Sequence, residues 1–403
     1  MGFAGSTEVR EYPREVPKVE SQVEGSPALT MASSMQHASQ EPLSLSLIAK
    51  DERARTLGLV PHACLRQLLV DPSSDKTEFE LESCLLEAPP DLPEASALVE
   101  GKFSEVDKNL QGKSKVLVEY KEYGQPPKRQ NMTTCANPND ETRVRQLASL
   151  LSSSGSHDLR TLPFKGYVNQ ENRKRHAFIF KFPENALRAE PTSLHSMIDA
   201  ESLTSRLSLP SRFHVAQTVS KTIGAFHADG WVHKSVRSQS IVFFQSLELP
   251  PPLAVKSPYL VNFEYSRPET AVTLFTSYDD LERNLYCHPD RQGPPKTSFS
   301  KLHDLYALGV VLLEIGIWQT VLSIYKQYCG RMKEGVTPSP RDIQKIFIDV
   351  AKKRLSHHMG PAYVSAVLAC LSGEFEDKTS RADFPMMFQS KVVDKLDMKE
   401  ADR

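Results

Sequence analysis

One apolar stretch constrains this fold more than any other feature of the chain. Residues 305–318 form a run of fourteen residues in which Glu314 is the only charged side chain. A helix that is apolar nearly all round must be buried inside a larger body. The run is too short to cross a bilayer, which takes eighteen or more apolar residues. It therefore predicts a large core built mainly of helices around this segment.

Other patterns place a smaller β-rich part before that helical part. Residues 216, 219, 223 and 226 are apolar and spaced 3, 4 and 3 apart, as on a helix that packs on a core. Short β-branched and aromatic runs predict strands, and apolar stripes predict further helices. The predicted strands are 116–120 and 176–180, and the predicted helices are 140–152, 363–371 and 384–396. We predict an α+β fold with a small β-rich lobe, holding one helix, and a larger, mainly helical lobe.

The distribution of aromatic residues sets the predicted domain boundaries. Only Phe3, Tyr12 and Phe79, three of 32 aromatic residues, fall in the first hundred positions. The first fifty residues are rich in Ser, Pro and Glu and cannot bury enough apolar surface to offset the entropy of ordering. The predicted organisation is a disordered tail (1–45), a short helical segment with linker (46–98), the β-rich lobe (99–185), the helical lobe (186–396) and a tail (397–403).

Charge and cysteine content exclude several functions. Lys and Arg number 49 against 50 Asp and Glu, so the basic excess typical of nucleic-acid binding is missing. Six scattered cysteines without a CxxC pair favour free thiols over a disulfide or zinc framework. The N-terminus lacks the apolar segment of a signal peptide, so we expect a soluble, cytoplasmic protein without a transmembrane segment. The basic run 172–176 leaves nuclear import as an alternative. Gly2 fits the loose N-myristoylation pattern, but no polybasic second anchor follows, so coincidence is the preferred interpretation.

Five segments in order carry a resemblance to protein kinases. Residues 233–240 (HKSVRSQS) resemble the catalytic loop H-R-D-L-x-x-x-N, and 259–264 (YLVNFE) lie where a kinase has D-F-G. Residues 288–290 (HPD) match A-P-E, 304–314 (DLYALGVVLLE) match the large-lobe helix, and 116–121 (VLVEYK) are similar to V-A-I-K. The details resemble the kinase-like domains of fungal proteins, which often follow a helical HeLo prion-inhibition-and-propagation domain. The segment before residue 99 is too short and too polar to be an intact HeLo domain.

The residues at the chemical positions of this resemblance differ from those of active kinases. Phosphoryl transfer needs carboxylates that orient the acceptor and hold magnesium. Ser235 stands in place of the catalytic Asp, Ser240 in place of the metal-binding Asn, and Asn262 in place of the D-F-G Asp. Lys121 and Arg237, the latter in the place of the catalytic-loop Lys, are the retained phosphate-binding cations. The resemblance therefore implies a pseudokinase that requires no cofactor, for which ATP remains a candidate ligand and magnesium is not expected.

Neighbouring positions depart from the kinase pattern as well. Residues 96–115 contain only Gly101 and Gly112, so no glycine-rich roof over phosphates is predicted. Arg143 stands where the helix should supply a Glu to Lys121, and Glu264 replaces the Gly of D-F-G. Glu264 is interpreted either as a displaced metal ligand or as a solvated or Arg-paired carboxylate.

Lys121 itself has two interpretations. It either binds a nucleotide phosphate or is a solvated strand residue beside Glu119 and Glu122. The departures in the roof, the helix and the metal position favour the second.

Five positions are predicted to be structural. His233 and Phe263 are expected to pack beneath the loop, with an acid–base role for His233 as the alternative. Asp304 is expected to accept hydrogen bonds from the catalytic-loop backbone, and Asp290 to form a buried pair with Arg381.

Three functions compete. The first is a non-catalytic signalling module that binds other proteins, which the fungal resemblance connects to non-self recognition or regulated cell death. The second is an active ATP-dependent protein kinase with an unconventional metal site. The third, a small-molecule phosphotransferase, needs the same missing carboxylates.

Overall fold

The structure is a computed structural model. It describes residues 60–70, 79–89, 98–107, 110–122, 141–152, 159–184, 186–187, 191–200, 206–246, 257–271, 280–292, 298–331, 337–375 and 383–398, with residues 50, 52 and 55. The predicted tail 1–45 lies outside the described residues, as does most of 397–403.

The described chain is an α+β structure. Its helices are α1 (Val60–Val70), α2 (Glu141–Ser152), α3 (Leu194–Asp199), α4 (Leu209–Ala228), α5 (Leu281–Leu285), α6 (Lys301–Ile317), α7 (Val321–Cys329), α8 (Pro340–Val350), α9 (Ser356–Leu371) and α10 (Phe384–Phe388). Its strands are β1 (Leu86–Glu87), β2 (Val99–Asp107), β3 (Leu110–Glu122), β4 (Phe164–Gln170), β5 (Arg175–Phe180), β6 (Thr192–Ser193), β7 (Trp231–Val232), β8 (Ile241–Phe243), β9 (Tyr259–Leu260) and β10 (Arg267–Pro268).

The first five strands form one antiparallel sheet in the order β1-β2-β3-β5-β4. Along β3, alternate side chains point to opposite faces. Val116, Val118 and Tyr120 pack in a small separate cluster on one face, whereas Leu117 joins the main core. Glu119 and Lys121 share the face of Leu117, so the strand's alternation directs both toward the interior of the molecule.

Helix α6 is the centre of the helical part, as the apolar run predicts. Every residue from His303 to Ile317 is buried. The helix packs closely on α9, where a methyl group added to Gly309 would lie 2.7 Å from Cys370 Cβ. The predicted helices at 140–152, 363–371 and around 216–226 are confirmed as α2, α9 and α4. The predicted helix 384–396 begins as α10 and continues as a π-turn and a 3₁₀ turn.

Helix α1 contacts both α4 and α2. Arg66 Nε donates to Ala228 O at 2.7 Å, and His62 Nδ1 lies 2.5 Å from Asp229 Oδ1, both at the end of α4. On the other side, Gln146 of α2 donates to Leu68 O at 2.8 Å. The helix predicted within 46–98 is therefore present, and it packs against the body of the protein.

Among the described residues no single helix is long and apolar enough to span a membrane. Helices α6 and α7 meet that criterion together, but they are bent by 83° at the break between them.

Candidate functional site

The turn at residues 233–235 is held by one buried carboxylate. Asp304 of α6 accepts the backbone N–H of His233 at 2.7 Å and that of Lys234 at 2.9 Å. His227 Nε2 lies 3.1 Å from the same carboxylate. Burial alone would raise the pKa of Asp304, but these donors hold it below its ordinary value. This is the backbone contact expected from the sequence.

Aromatic rings fill the space beneath the turn. His233 is fully buried, with its ring 5.7 Å from that of Phe226 and 5.1 Å from that of Phe263. Burial lowers the pKa of His233 to about 4, so the imidazole is neutral at physiological pH. A neutral ring packed edge-to-face against two phenylalanines fits the predicted packing role.

The three positions that differ most from active kinases are bonded to one another. Asn262 Nδ2 donates to Ser235 Oγ at 2.9 Å and lies 3.2 Å from Ser240 Oγ. Ser240 Oγ in turn donates to Ser235 O at 2.7 Å. Asn262 has a φ of +74°, a left-handed conformation that Asn tolerates better than most side chains. We call these three residues the amide–hydroxyl cluster. Each of its three side chains takes part in at least one of these hydrogen bonds.

The environment of Lys121 differs from the solvated strand position considered from the sequence. Lys121 is only partly exposed and donates to the backbone carbonyl of Glu264. Glu119 is 2% exposed, and its Oε2 accepts the backbone N–H of Asn262 at 2.8 Å. The solvated interpretation is therefore wrong for Lys121, because β3 turns this side chain inward beside the buried Glu119. Glu122, at the end of the strand, is exposed.

Burial strongly shifts the pKa values of Glu119 and Lys121. It raises the pKa of Glu119 to about 8, against the hydrogen bonds from Asn262 and Phe263, and lowers the pKa of Lys121 to about 8. Burial also raises the pKa of Glu264, against the attraction of Lys121. Burial therefore favours the neutral forms of Glu119, Lys121 and Glu264 over their ionised forms.

The α2 position opposite Lys121 carries a like charge. Arg143 adds repulsion that helps to lower the pKa of Lys121. Glu141 is exposed and pairs with Arg145 at 2.7 Å, one turn along the same helix. The described part of α2 thus offers Lys121 no carboxylate.

Asp290 pairs with a residue that the sequence analysis did not name, at a position open to solvent. Its carboxylate accepts Arg341 Nη2 of α8 at 2.6 Å, and its side chain is 38% exposed. Arg381 lies outside the described residues. A pair this open to solvent contributes less than about 1 kcal/mol.

Two features of this region were not predicted. Arg237 lines a cavity with Lys234, Arg283 and Arg291, and Ser235 of the turn borders the same cavity. Nearby, Glu314 is fully buried and accepts Tyr286 Oη at 2.9 Å and the backbone N–H of Val321 at 2.8 Å. The lone charge in an apolar run is the signal that marks Glu314 in the sequence.

No family model and no curated protein matches this chain. Within the described residues, no group of three or more His, Cys, Asp or Glu side chains is arranged to hold a metal ion.

Proposed function

We propose that this protein is a pseudokinase: a two-lobed, protein-kinase-like fold without phosphotransferase activity, which acts as a signalling module by binding other proteins. The arrangement of elements supports the proposal. A five-stranded antiparallel sheet with helix α2 precedes a mainly helical part, and the kinase-like segments follow each other in the expected order.

The amide–hydroxyl cluster is the observation that carries the proposal. In a kinase these three positions supply a base and two metal ligands. Here Asn262 bonds Ser235 and Ser240, and a serine hydroxyl cannot serve as the carboxylate base. The contact of Lys121 with the carbonyl of Glu264 also occupies the cation that would meet a nucleotide phosphate.

The partner chemistry is proposed from the resemblance alone. The resemblance to fungal kinase-like domains suggests a place in non-self recognition or regulated cell death. The tether expected over residues 1–98 does not include α1 and β1, which pack on the rest of the protein.

An active kinase with an unconventional metal site is the second candidate. The buried carboxylate of Glu119 beside Asn262, together with Glu264, is the observation that favours it. This candidate requires magnesium-dependent ATP binding that weakens in the Glu264→Ala variant.

The test is phosphate incorporation and thermal unfolding of the full chain. We expect the wild type to incorporate no more labelled phosphate from ATP than the Lys121→Met variant does. Lys115→Met, at an exposed lysine on the same strand, is the matched control. A ligand at a hundredfold excess over its Kd stabilises a protein by about 2.7 kcal/mol, so ATP binding would be visible in the unfolding curve. Magnesium-dependent stabilisation with phosphate incorporation that Lys121→Met abolishes and Lys115→Met retains would refute the pseudokinase proposal.

A further inference from the structure

A run of basic side chains lies on the helical segment that joins α8 to α9. A π-turn connects the two helices, and Ala351, Leu355 and Met359 are buried at a regular spacing of four residues. The two sets of three residues between them are all exposed: Lys352, Lys353, Arg354, Ser356, His357 and His358. Five of these six side chains are basic and none is acidic. A π-turn is rare and occurs frequently at functional sites.

Two arginines of a neighbouring element add to this run. Arg206 is exposed just before α4, and Arg212 is buried in the first turns of α4. The pKa of His358 shows that these groups lie close together, since burial and then the charges of Arg206, Arg212, Arg354 and His357 lower it. We call the exposed members of this group the basic surface: Arg206, Lys352, Lys353, Arg354, His357 and His358.

The recorded contacts of the basic surface leave its charge largely in place. Lys353 Nζ lies 3.4 Å from Asp349 Oδ2, but the two side chains are 75% and 62% exposed, so the pair is weak. Arg354 Nη2 donates to Gln319 Oε1 at 3.1 Å, and a neutral amide does not cancel the charge of the guanidinium. The chain as a whole has 49 Lys and Arg against 50 Asp and Glu, so this local positive potential comes from an uneven distribution of charge.

The basic surface lies far from the turn at residues 233–235. Arg212, at the start of α4, donates to Gly316 O at the end of α6 at 3.0 Å. His227, at the end of α4, lies 3.1 Å from Asp304 at the start of α6, so the two helices are antiparallel. Helix α4 has 20 residues and is therefore about 30 Å long. The basic surface and the turn are at opposite ends of this helix pair.

The shape and composition of the basic surface select the class of partner. Its side chains lie on the exposed side of a helix, whereas a bound peptide needs a groove or a sheet edge. The nearby rings of Phe213 and Tyr363 are buried and cannot stack on bases, as binding of single-stranded nucleic acid requires. Leu209, three residues from Arg206, is 40% exposed. Lys and Arg side chains beside an exposed apolar one suit the surface of an anionic bilayer.

We propose that the basic surface binds anionic phospholipid membranes peripherally, with Leu209 at the level of the headgroups. Each Lys or Arg near an anionic bilayer raises partitioning about fivefold. The four Lys and Arg side chains of the basic surface together should raise it by several hundredfold. The proposal goes beyond the pseudokinase assignment and does not rest on it, since the amide–hydroxyl cluster lies at the other end of α4.

The binding test is sedimentation of the full chain with lipid vesicles, in a buffer of low ionic strength without nucleotide. The vesicles consist of phosphatidylcholine alone or of phosphatidylcholine with phosphatidylserine. We expect the protein to sediment with the phosphatidylserine vesicles and to stay in solution with the neutral ones. Salt at about 1 M, which shortens the Debye length to about 3 Å, should release it. Absence of binding to phosphatidylserine vesicles, or equal binding to neutral ones, would overturn the proposal.

Variants locate the site. The triple variant Lys352→Gln, Lys353→Gln, Arg354→Gln should bind phosphatidylserine vesicles about a hundredfold more weakly. Arg206→Gln should bind about fivefold more weakly, and it tests the site from another element should the triple variant fail to fold, as judged by circular dichroism.

The matched control removes the same number of charges elsewhere. It combines Lys102→Gln, Lys113→Gln and Lys115→Gln, at three exposed lysines on β2 and β3, and should bind as the wild type does. Unchanged binding in the folded variants of the basic surface, or an equal loss in the control, would refute the proposal.

Two further probes test the class of partner. They are a single-stranded RNA and a polyglutamate peptide, each titrated against the wild type and the triple variant. Binding of either that is lost in the triple variant, without binding to vesicles, would assign the basic surface to a nucleic acid or to an acidic protein and overturn the membrane proposal.

Discussion

Replacing Glu314 by Gln should make the protein more stable at neutral pH. The carboxylate of Glu314 is fully buried in α6 and accepts Tyr286 Oη and Val321 N. Tyr286 Oη also lies 2.8 Å from Ser238 Oγ. In the Glu314→Gln variant the amide oxygen can accept from Val321, the amide N–H₂ can donate to the tyrosine oxygen, and the tyrosine can donate to Ser238. The variant therefore keeps the shape and the hydrogen bonds of the protonated acid.

The magnitude follows from the pKa of Glu314. Burial raises it from an ordinary value of 4.5 to about 7. One pKa unit corresponds to about 1.4 kcal/mol, so ionised Glu314 costs the folded state about 3 kcal/mol. Because the folded-state pKa is raised, the stabilisation is complete below about pH 4.5 and is lost as the pH rises through about 7. Between pH 5 and pH 7.5 the loss is about 2 kcal/mol.

The assay is urea unfolding at several pH values, followed by tryptophan fluorescence, since Trp231 is buried in the fold. The quantity of interest is the unfolding free energy of Glu314→Gln minus that of the wild type, in which the other titrating groups cancel. It should rise by about 2 kcal/mol from pH 5 to pH 7.5. Glu184→Gln, at an exposed glutamate, is the control and should show no such rise. A flat difference for Glu314→Gln would mean that Glu314 is ionised throughout, and the reasoning from burial would be refuted.

Three further variants test packing and ion pairs by the same unfolding assay. Gly309→Ala should destabilise by about 1–3 kcal/mol because the added methyl group overlaps α9, whereas Gly330→Ala, where the nearest atom is 3.4 Å away, should be nearly neutral; equal effects would contradict the packing argument. His62→Ala should cost about 1–3 kcal/mol because it removes a buried hydrogen-bond partner of the Asp229 carboxylate, and a loss under 1 kcal/mol would mean that α1 contributes little. Asp290→Asn breaks only an exposed pair and should cost less than about 1 kcal/mol, so a larger loss would restore a structural role for this position.

Helix positions were predictable because their signal is local. The spacing of apolar residues along α4 and the apolar run of α6 require burial wherever the rest of the chain goes, and the structure has both helices in the core. The bond from Asp304 to the turn was predicted differently, through the resemblance of its sequence context to a known motif.

Contacts between residues that are far apart in the chain leave no comparable pattern in the sequence. Asp290 pairs with Arg341, a contact that depends on how α8 packs and not on the spacing of charges. His62 and Asp229 are separated by 167 residues, and nothing in the polar sequence around α1 indicates that contact. The solvated interpretation of Lys121 failed for a related reason: a charged residue in a strand is usually solvated, and only the orientation of the sheet shows that this face of β3, with Glu119 and Lys121, is covered.

The turn at residues 233–237 is already engaged by the protein's own side chains. Asn262 donates to the hydroxyls of Ser235 and Ser240, so a ligand that entered there would have to replace existing hydrogen bonds. The carboxylate of Asp304 accepts the backbone N–H groups of His233 and Lys234, which fixes the backbone of the turn. A nucleotide bound beside Ser235 would therefore have to break contacts that the folded protein makes within itself, and this cost acts in the same direction as the lack of carboxylates at positions 235 and 262.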